Sequence, residues 1–197
     1  MPTIEKKKDA KRTALLEAAG ELFVSKGIHA TVIDDIVKRA GVAKGTFYLY
    51  FKDKYDLLDQ LILYRSADVI KHALSTVEER KAQKKIDLKE AVFCFIDDLL
   101  AYFTTHKDAL LLIRKDLSKG LFRSNLIAAD ENLQTAIARF TENFMSRGES
   151  QEQALQTLYI LVEMAGSVCC DAILDESPYR LDEIKPTLYL LIGKLLC

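Results

Sequence analysis

The apolar side chains of this chain recur at intervals of three and four residues through almost its whole length. That spacing places them on one face of an α-helix, and no stretch shows the alternate-residue spacing of a β-strand. The three prolines are Pro2, Pro178 and Pro186, so no proline interrupts a helix between residues 3 and 177. The pattern therefore predicts an all-α fold.

Three short helices are predicted near the N-terminus, at about residues 9–26, 33–40 and 44–50. Gly27 and Gly41 follow the first two, at positions where a left-handed residue ends a helix. Thr31 is the predicted N-cap of the second helix. Only Gly41 and the short turn of Val42 and Ala43 separate the second helix from the third. Three short helices with a tight turn between the last two are typical of a helix-turn-helix.

The rest of the chain predicts a larger helical domain. A long helix begins near Asp53 and runs to the lysine-rich stretch 81–85, and it connects the two halves of the chain. Further amphipathic segments are predicted at about 87–106, 109–114, 126–148, 151–174 and 181–196. We therefore expect two domains: a helix-turn-helix domain in residues 1–54 and a helical domain in residues 55–197.

The charges are distributed unevenly between these two domains. Residues 1–55 contain eleven Lys and Arg against seven Asp and Glu, a balance of +4, whereas the whole chain has a net charge of −1. A basic first quarter joined to an acidic remainder indicates that one end of the chain meets an anionic partner.

The third predicted helix has an inward side and an outward side. Phe47 and Phe51 lie four residues apart and are expected to pack inward. On the outward side, Lys44 can reach a guanine edge or a phosphate, and Thr46 can contact a base or a thymine methyl group. Gly45 has no side chain to hold its backbone away from a DNA groove. From the residues alone, a plain packing module explains the same pattern about as well as DNA binding does.

A longer motif decides between these two interpretations. It comprises Thr31, Asp34-Asp35-Ile36, Ala40-Gly41-Val42, Lys44-Gly45-Thr46-Phe47-Tyr48, Tyr50-Phe51 and Lys52-Asp53-Lys54. This ungapped series, within residues 12–57, resembles the N-terminal domain of the TetR (tetracycline repressor) family of transcriptional regulators. The resemblance implies a homodimer that binds a palindromic double-stranded DNA operator, commonly as a repressor that a small molecule releases.

The resemblance also implies which side chains face DNA. Six residues of the third helix and the turn before it fall on DNA-facing positions: Ala43, Lys44, Gly45, Thr46, Tyr48 and Tyr50. The hydroxyls of the two tyrosines suit phosphate oxygens. Thr31 and Lys54 are expected near phosphates, with Lys54 beside the N-terminal amides of the long helix.

The last two predicted helices have broad apolar faces. The resemblance implies that they pair with their mates in a four-helix dimer interface, although the same faces could fill the core of a monomer. The predicted interface comprises Leu155, Leu158, Val162, Ala165, Gly166, Leu188, Leu191, Ile192 and Leu195.

A pocket for a small apolar or amphipathic effector is a further expectation for the second domain. Effector sites are mostly apolar with few polar groups, although aromatic residues at helical spacing also fit an ordinary core. The candidate lining residues are Tyr64, Phe93, Tyr102, Phe103, Phe122 and Met164.

The sequence offers little support for catalysis. The histidines His29, His72 and His106 are scattered, and no Gly-rich phosphate loop is present, so we expect no enzymatic activity, no cofactor and no metal. Two alternatives stay open: a redox sensor based on the adjacent Cys169 and Cys170, and a helical dimer that binds proteins and not DNA. A charged N-terminus and short apolar runs predict a cytoplasmic protein without a membrane partner.

Overall fold

The computed structural model describes residues 4–113 and 131–196, and within these ranges the protein is helical and contains no strand. The all-α prediction is therefore confirmed. We number the helices of the described ranges in chain order as α1 Ile4–Lys26, α2 Ile33–Ala40, α3 Lys44–Tyr48, α4 Lys54–Gln83, α5 Leu88–Thr105, α6 Lys107–Ile113, α7 Glu131–Met145, α8 Gln151–Leu174 and α9 Leu181–Leu196.

Several helix ends lie where local sequence signals predict them. Gly27 and Gly41 have φ angles of 81° and 67°, the left-handed conformation that ends α1 and α2 at little steric cost. Asp87 caps α5, because its side chain accepts a hydrogen bond from the amide of Glu90 while the Glu90 carboxylate accepts one from the amide of Asp87. α1 begins earlier than expected, and α3 ends two residues earlier.

The main chain divides into two compact units, residues 1–64 and 65–197. The predicted domain boundary after residue 54 lies earlier in the chain than this division, which falls within α4 after residue 64. The first turns of α4 belong to the N-terminal unit because Leu57 and Leu61 are fully buried and Gln60 accepts a hydrogen bond from Arg12 of α1 at 2.8 Å. In the same unit, α1 packs on α2, and α2 packs on α3.

The C-terminal unit is built around contacts of α8 with α5, α6, α7 and α9. Ile70 and Leu74 of α4 form a buried cluster with Leu133 of α7. Helix α5 also contacts α9, where the ring of Phe93 stacks on that of Tyr189 with their centroids 4.6 Å apart. The Tyr189 hydroxyl donates a 2.7 Å hydrogen bond to Asp97, so α5 and α9 are joined by both apolar and polar contacts.

Helix α8 is unusually apolar. An 18-residue window within Gln151–Leu174 has a mean hydropathy of 1.6, and only 28% of that window is buried in the protomer. By length and composition alone such a helix can cross a membrane, but a single helix of this kind is weak evidence for one. Apolar surface left open on one helix is equally typical of a protein interface.

Candidate DNA-binding site

The short helix α3 is held by two phenylalanines. Phe47 is completely buried, Phe51 is nearly so, and their ring centroids are 5.6 Å apart. Tyr48 meets the edge of Phe47 at an interplanar angle of 80°. The predicted inward packing of Phe47 and Phe51 is confirmed, and it orients the opposite edge of α3 away from the core.

That opposite edge is exposed. Ala43, Lys44 and Gly45 are exposed, Thr46 is half-buried, and 54% of Tyr48 is accessible. A Cβ atom added to Gly45 would meet nothing within 4 Å, so packing within the protein does not require a glycine there. We call these five residues the α3 edge.

The sequence analysis missed Leu49, whose exposed fraction of 77% is the highest of the large apolar side chains that are exposed in the described ranges. A periodicity signal was available, because Leu49 lies midway between the inward-facing Phe47 and Phe51. An apolar side chain such as that of Leu49, next to the α3 edge, can contact a thymine methyl group. Leu49 therefore joins the candidate DNA-contacting residues.

Lys44 is paired with an acid of the preceding helix. Its Nζ lies 2.7 Å from the Asp34 Oδ1 of α2, and both side chains are more than half exposed. The hydrogen bond and charge of Asp34 raise the pKa of Lys44 above its ordinary value. The ammonium of Lys44, the cation of the α3 edge, thus forms an ion pair with Asp34 in the absence of DNA.

Thr31 does not have the role predicted for it. Its side chain is fully buried, and its hydroxyl donates to the carbonyl oxygen of Gly27 at 2.8 Å and approaches that of Leu22 at 3.3 Å. Val32 is the residue at the start of α2, and it makes no side-chain cap. The predictions of an N-cap and of a phosphate contact for Thr31 are both wrong, because its hydroxyl is turned back toward the end of α1.

Lys54 is also used inside the protein. Its Nζ donates to the carbonyl oxygens of Ile28, His29 and Thr31 at 2.8, 3.1 and 2.9 Å, which occupies the three donors of an ammonium. At the start of α4, Asp53 Oδ1 already accepts from the amides of Tyr55 and Asp56. These internal bonds occupy the groups that the predicted phosphate site would use, so the phosphate contact of Lys54 stays a prediction and requires them to open.

Tyr50 lies between these two cases. It is half-buried, and its hydroxyl donates to the carbonyl oxygen of Lys8 at 3.1 Å. This bond ties the end of the helix-turn-helix to α1. A hydroxyl retains acceptor capacity after donating, but a phosphate oxygen needs a donor. The DNA contact expected of Tyr50 stays a prediction, and it requires this internal bond to open.

The C-terminal unit contains a cavity of about 710 Å³. Its walls are apolar and come from α4, α5, α7 and α8, with Phe95, Ile96, Leu99 and Phe140 among them. Charged side chains also line it, where α4 approaches α5 and α7: Glu78, Lys81, Lys85, Asp87 and Arg139. Glu78 lies 2.6 Å from Lys81 and 3.5 Å from Arg139. Apolar walls with a few polar groups are typical of small-molecule sites.

The predicted lining residues agree only partly with this cavity. Phe103 lines it. Phe93 and Tyr102 do not, because Phe93 stacks on Tyr189 and Tyr102 stacks on His106 with centroids 4.2 Å apart. Two more candidates are placed elsewhere: Met164 is not on the wall, and Tyr64 belongs to the N-terminal unit. The sixth candidate, Phe122, lies outside the described residues.

The structure also divides the predicted dimer face. Leu188 and Ile192 are buried within the protomer, so their placement on an exposed interface was wrong. Four other predicted residues line the cavity: Leu158, Val162, Ala165 and Gly166. Leu155 is half-buried, whereas Leu191 and Leu195 are exposed. The exposed apolar side chains of α8 and α9 also include Tyr159, which the sequence places on the apolar face of α8, and two that the sequence analysis missed, Ile160 and Leu190.

The cysteine cluster gives no sign of a reactive thiol. Cys94, Cys169 and Cys170 are buried and form no disulfide. Burial raises the pKa of the Cys169 thiol to about 12, with a further contribution from Cys170. Because the thiolate is the reactive form, a Cys169 thiol with this raised pKa is unreactive at neutral pH. No cluster of three or more potential metal ligands is present within the described residues.

Comparison with known proteins agrees with this geometry. Residues 15–61 match the family described as bacterial regulatory proteins, tetR family. The HTH-type transcriptional regulator YvdT of Bacillus subtilis is 32% identical over 113 residues, which cover 57% of this chain and 56% of that protein. The fatty acid metabolism regulator protein of the same organism is 35% identical over 80 residues, 41% of each chain. The chain thus matches about half the length of these curated relatives.

Solved structures extend the likeness of fold to the whole chain. A TetR family transcription regulator from Marinobacter aquaeolei superimposes with a TM-score of 0.66 at 20% identity, covering 98% of both chains. The regulator FadR of Bacillus subtilis, in complex with stearoyl-CoA, gives a TM-score of 0.57 at 21% identity and covers 91% of this chain and 96% of that one.

The N-terminal unit, with its exposed α3 edge, has the geometry of a helix-turn-helix domain, and the chain shares its overall fold with TetR family regulators. Over residues 15–61, this helix-turn-helix unit is of the TetR type. The curated relatives that it matches are named as regulators.

Proposed function

We propose that the protein is a cytoplasmic, dimeric repressor that binds a palindromic operator and leaves it when an amphipathic effector enters the cavity of the C-terminal unit. The α3 edge carries the DNA-binding part of this proposal. Lys44, Thr46 and Tyr48 lie outward on a helix that buried Phe47 fixes from behind. Lysine and threonine can contact base edges, and a tyrosine hydroxyl can contact a phosphate, so one helix supplies both recognition and positioning.

The dimeric part rests on exposed apolar side chains. Tyr159 and Ile160 of α8 and Leu190, Leu191 and Leu195 of α9 are all exposed in the protomer. Covering them with the same face of a second copy gives a twofold assembly. Two α3 helices related by a twofold axis suit half-sites about 34–36 Å apart on a palindromic duplex.

The effector is proposed from the chemistry of the cavity. A volume of about 710 Å³ with apolar walls accommodates a long hydrocarbon chain. The charged lining contains three cations, Lys81, Lys85 and Arg139, against the two carboxylates of Glu78 and Asp87. Such a lining favours an effector with an anionic head group. The names of two relatives, a fatty acid metabolism regulator and a FadR bound to stearoyl-CoA, support a fatty-acyl effector.

The DNA-binding part is tested by selecting random duplex DNA on the purified protein at physiological salt. An enriched palindrome is the expected result, and its affinity should fall steeply with rising salt because bound phosphates release counterions. A folded dimer that enriches no sequence would contradict this part of the proposal. In that case the protein-binding alternative would gain support.

The effector part is tested by titrating the operator complex with a long-chain fatty acid and with its CoA ester. We expect release of the DNA. Ala136→Trp places an indole in the cavity wall and should abolish the response, whereas Ala101→Trp, on an exposed position of α5, should preserve it. Release that is equal in both variants would show that the effector acts elsewhere. DNA binding without added effector should be retained in both.

A further inference from the structure

The ion pair between Asp34 and Lys44 joins two helices of the helix-turn-helix across its turn. Asp34 is the second residue of α2, and Lys44 is the first residue of α3. Their charged atoms are 2.7 Å apart, and both side chains are largely exposed. The two residues line the same shallow depression as Val32, Tyr48 and Tyr55.

A carboxylate at this place has an electrostatic consequence. If Lys44 moved to a phosphate, it would leave Asp34 unpaired beside the polyanionic backbone of DNA, which is unfavourable. If the pair stays together, it offers an ammonium donor and a carboxylate acceptor side by side. Both groups can then be satisfied only where DNA presents an acceptor next to a donor.

A G·C base pair presents that arrangement in the major groove with two acceptors beside the donor, whereas adenine presents a single acceptor beside its amino group. Guanine offers its O6 and N7 acceptors, and cytosine offers its N4 amino donor next to them. Lysine bonds to guanine and aspartate accepts from the cytosine amino group in known direct readout. We propose that Lys44 and Asp34 read one G·C base pair in each half-site as a unit, and that Asp34 is a specificity-determining residue. This inference rests on the proposed DNA-binding function.

The adjacent Asp35 provides a matched control. It also lies in the first turn of α2, and it pairs with Lys26 of α1 at 3.1 Å, while Asp34 pairs with α3. Neighbouring residues on a helix point about 100° apart, which explains the different partners. Replacing either acid by its amide removes one negative charge and weakens one surface ion pair.

The experiment compares wild type, Asp34→Asn and Asp35→Asn by selection from random duplex DNA, followed by affinity measurements on the selected operator and its single-base-pair variants. Wild type and Asp35→Asn should require the same G·C pair at one symmetric position of each half-site. Asp34→Asn should lose discrimination there by roughly tenfold and should bind unrelated DNA more tightly.

Three results would overturn the proposal. A selected operator without an invariant G·C pair in each half-site would do so, as would an unchanged base preference in Asp34→Asn. Equal changes in the two variants would show a general charge effect instead. In each of these cases wild type still selects an operator, so they differ from failure of the proposed function, in which wild type enriches nothing and both proposals fall. Retention of the C-terminal dimer and of the helical circular dichroism spectrum verifies that both variants are folded.

Discussion

The side-chain ammonium of Lys54 lies 2.9 Å from the main-chain carbonyl oxygen of Thr31, so a residue at the start of α4 holds the loop that precedes α2. Two more carbonyls of that loop, from Ile28 and His29, accept hydrogen bonds from the same ammonium. The loop between α1 and α2 therefore depends on a side chain from a distant part of the N-terminal unit.

Lys54→Gln should destabilise the protein because the amide cannot replace three charge-assisted hydrogen bonds. We expect the free energy of unfolding to fall by about 1.5–3 kcal/mol, measured by urea denaturation. Lys52→Gln removes the charge of an exposed neighbour and should have little effect. If Lys54→Gln instead weakened operator binding at unchanged stability, a phosphate contact would be the better interpretation.

Gly45→Ala should separate stability from DNA binding. The added methyl group meets no atom of the protein within 4 Å, and alanine favours a helix over glycine by up to about 1 kcal/mol. We therefore expect an unchanged or slightly higher melting temperature. Operator affinity should fall, because the methyl group occupies the surface that approaches the groove. Unchanged affinity would show that the α3 edge does not approach DNA closely at this residue.

Lys44→Ala and Tyr48→Phe should weaken operator binding while dimerisation is preserved. Both side chains are exposed, and their loss removes no packing from the core. For Tyr48→Phe, the lost hydrogen bond to a phosphate should cost roughly tenfold in affinity for every sequence. Fluorescence anisotropy measures the affinity, and Tyr179→Phe, which alters an exposed tyrosine of the C-terminal unit, is the control. Loss of folding in both variants would contradict the assigned roles.

Leu191→Glu should dissociate the proposed dimer. The side chain is exposed in the protomer, so a glutamate there is tolerated in the monomer but introduces a buried charge into a twofold interface. Sedimentation velocity should show a folded monomer with much weaker operator binding. Leu111→Glu on α6, which replaces a similarly exposed leucine, is the control and should remain dimeric. A dimeric Leu191→Glu protein would place the interface elsewhere.

The buried thiol of Cys169 predicts a loss of stability in alkali. Its pKa is about 12 in the folded protein and 9.0 for an ordinary cysteine, so the unfolded chain releases the proton first. The contribution of the neutral thiol to stability is therefore fully present below about pH 9 and is lost as the pH rises toward 12, by at most about 1.4 kcal/mol per pH unit.

Urea denaturation at increasing pH measures this loss, and Cys169→Ala should reduce the slope. Iodoacetamide provides an independent check, because Cys169 should react in the urea-unfolded chain but not in the native protein at neutral pH. Operator affinity should likewise be unaffected by dilute peroxide. Rapid alkylation of native Cys169 would revive the redox-sensor alternative.

The residues of the N-terminal unit illustrate how far sequence patterns reach. Gly27 and Gly41 end their helices as predicted, since the left-handed conformation is a local property of the chain. Phe47 and Phe51 are buried as predicted, because the turn after α3 keeps the helical spacing of four, with the Phe51 amide donating to the Phe47 carbonyl oxygen at 3.0 Å. The same periodicity would have identified exposed Leu49.

The C-terminal unit shows where periodicity stops being informative. The pattern correctly indicates that Phe93, Tyr102 and Phe103 lie on an amphipathic helix, but only Phe103 of these three lines the cavity. Which neighbouring helix covers each side of α5 depends on packing between segments far apart in the chain. The same holds for Leu188 and Ile192, which α9 buries within the protomer.

The sequence by itself determined the helical class, several helix ends and the motif of the TetR family, because backbone conformation and helix periodicity are encoded by neighbouring residues. Only the tertiary structure decided that Lys54 and Thr31 donate hydrogen bonds to the loop before α2, that Lys44 pairs with Asp34, and which apolar residues line the cavity. Long side chains such as lysine reach several partners from one backbone position, so their contacts depend on which atoms the rest of the fold brings within reach.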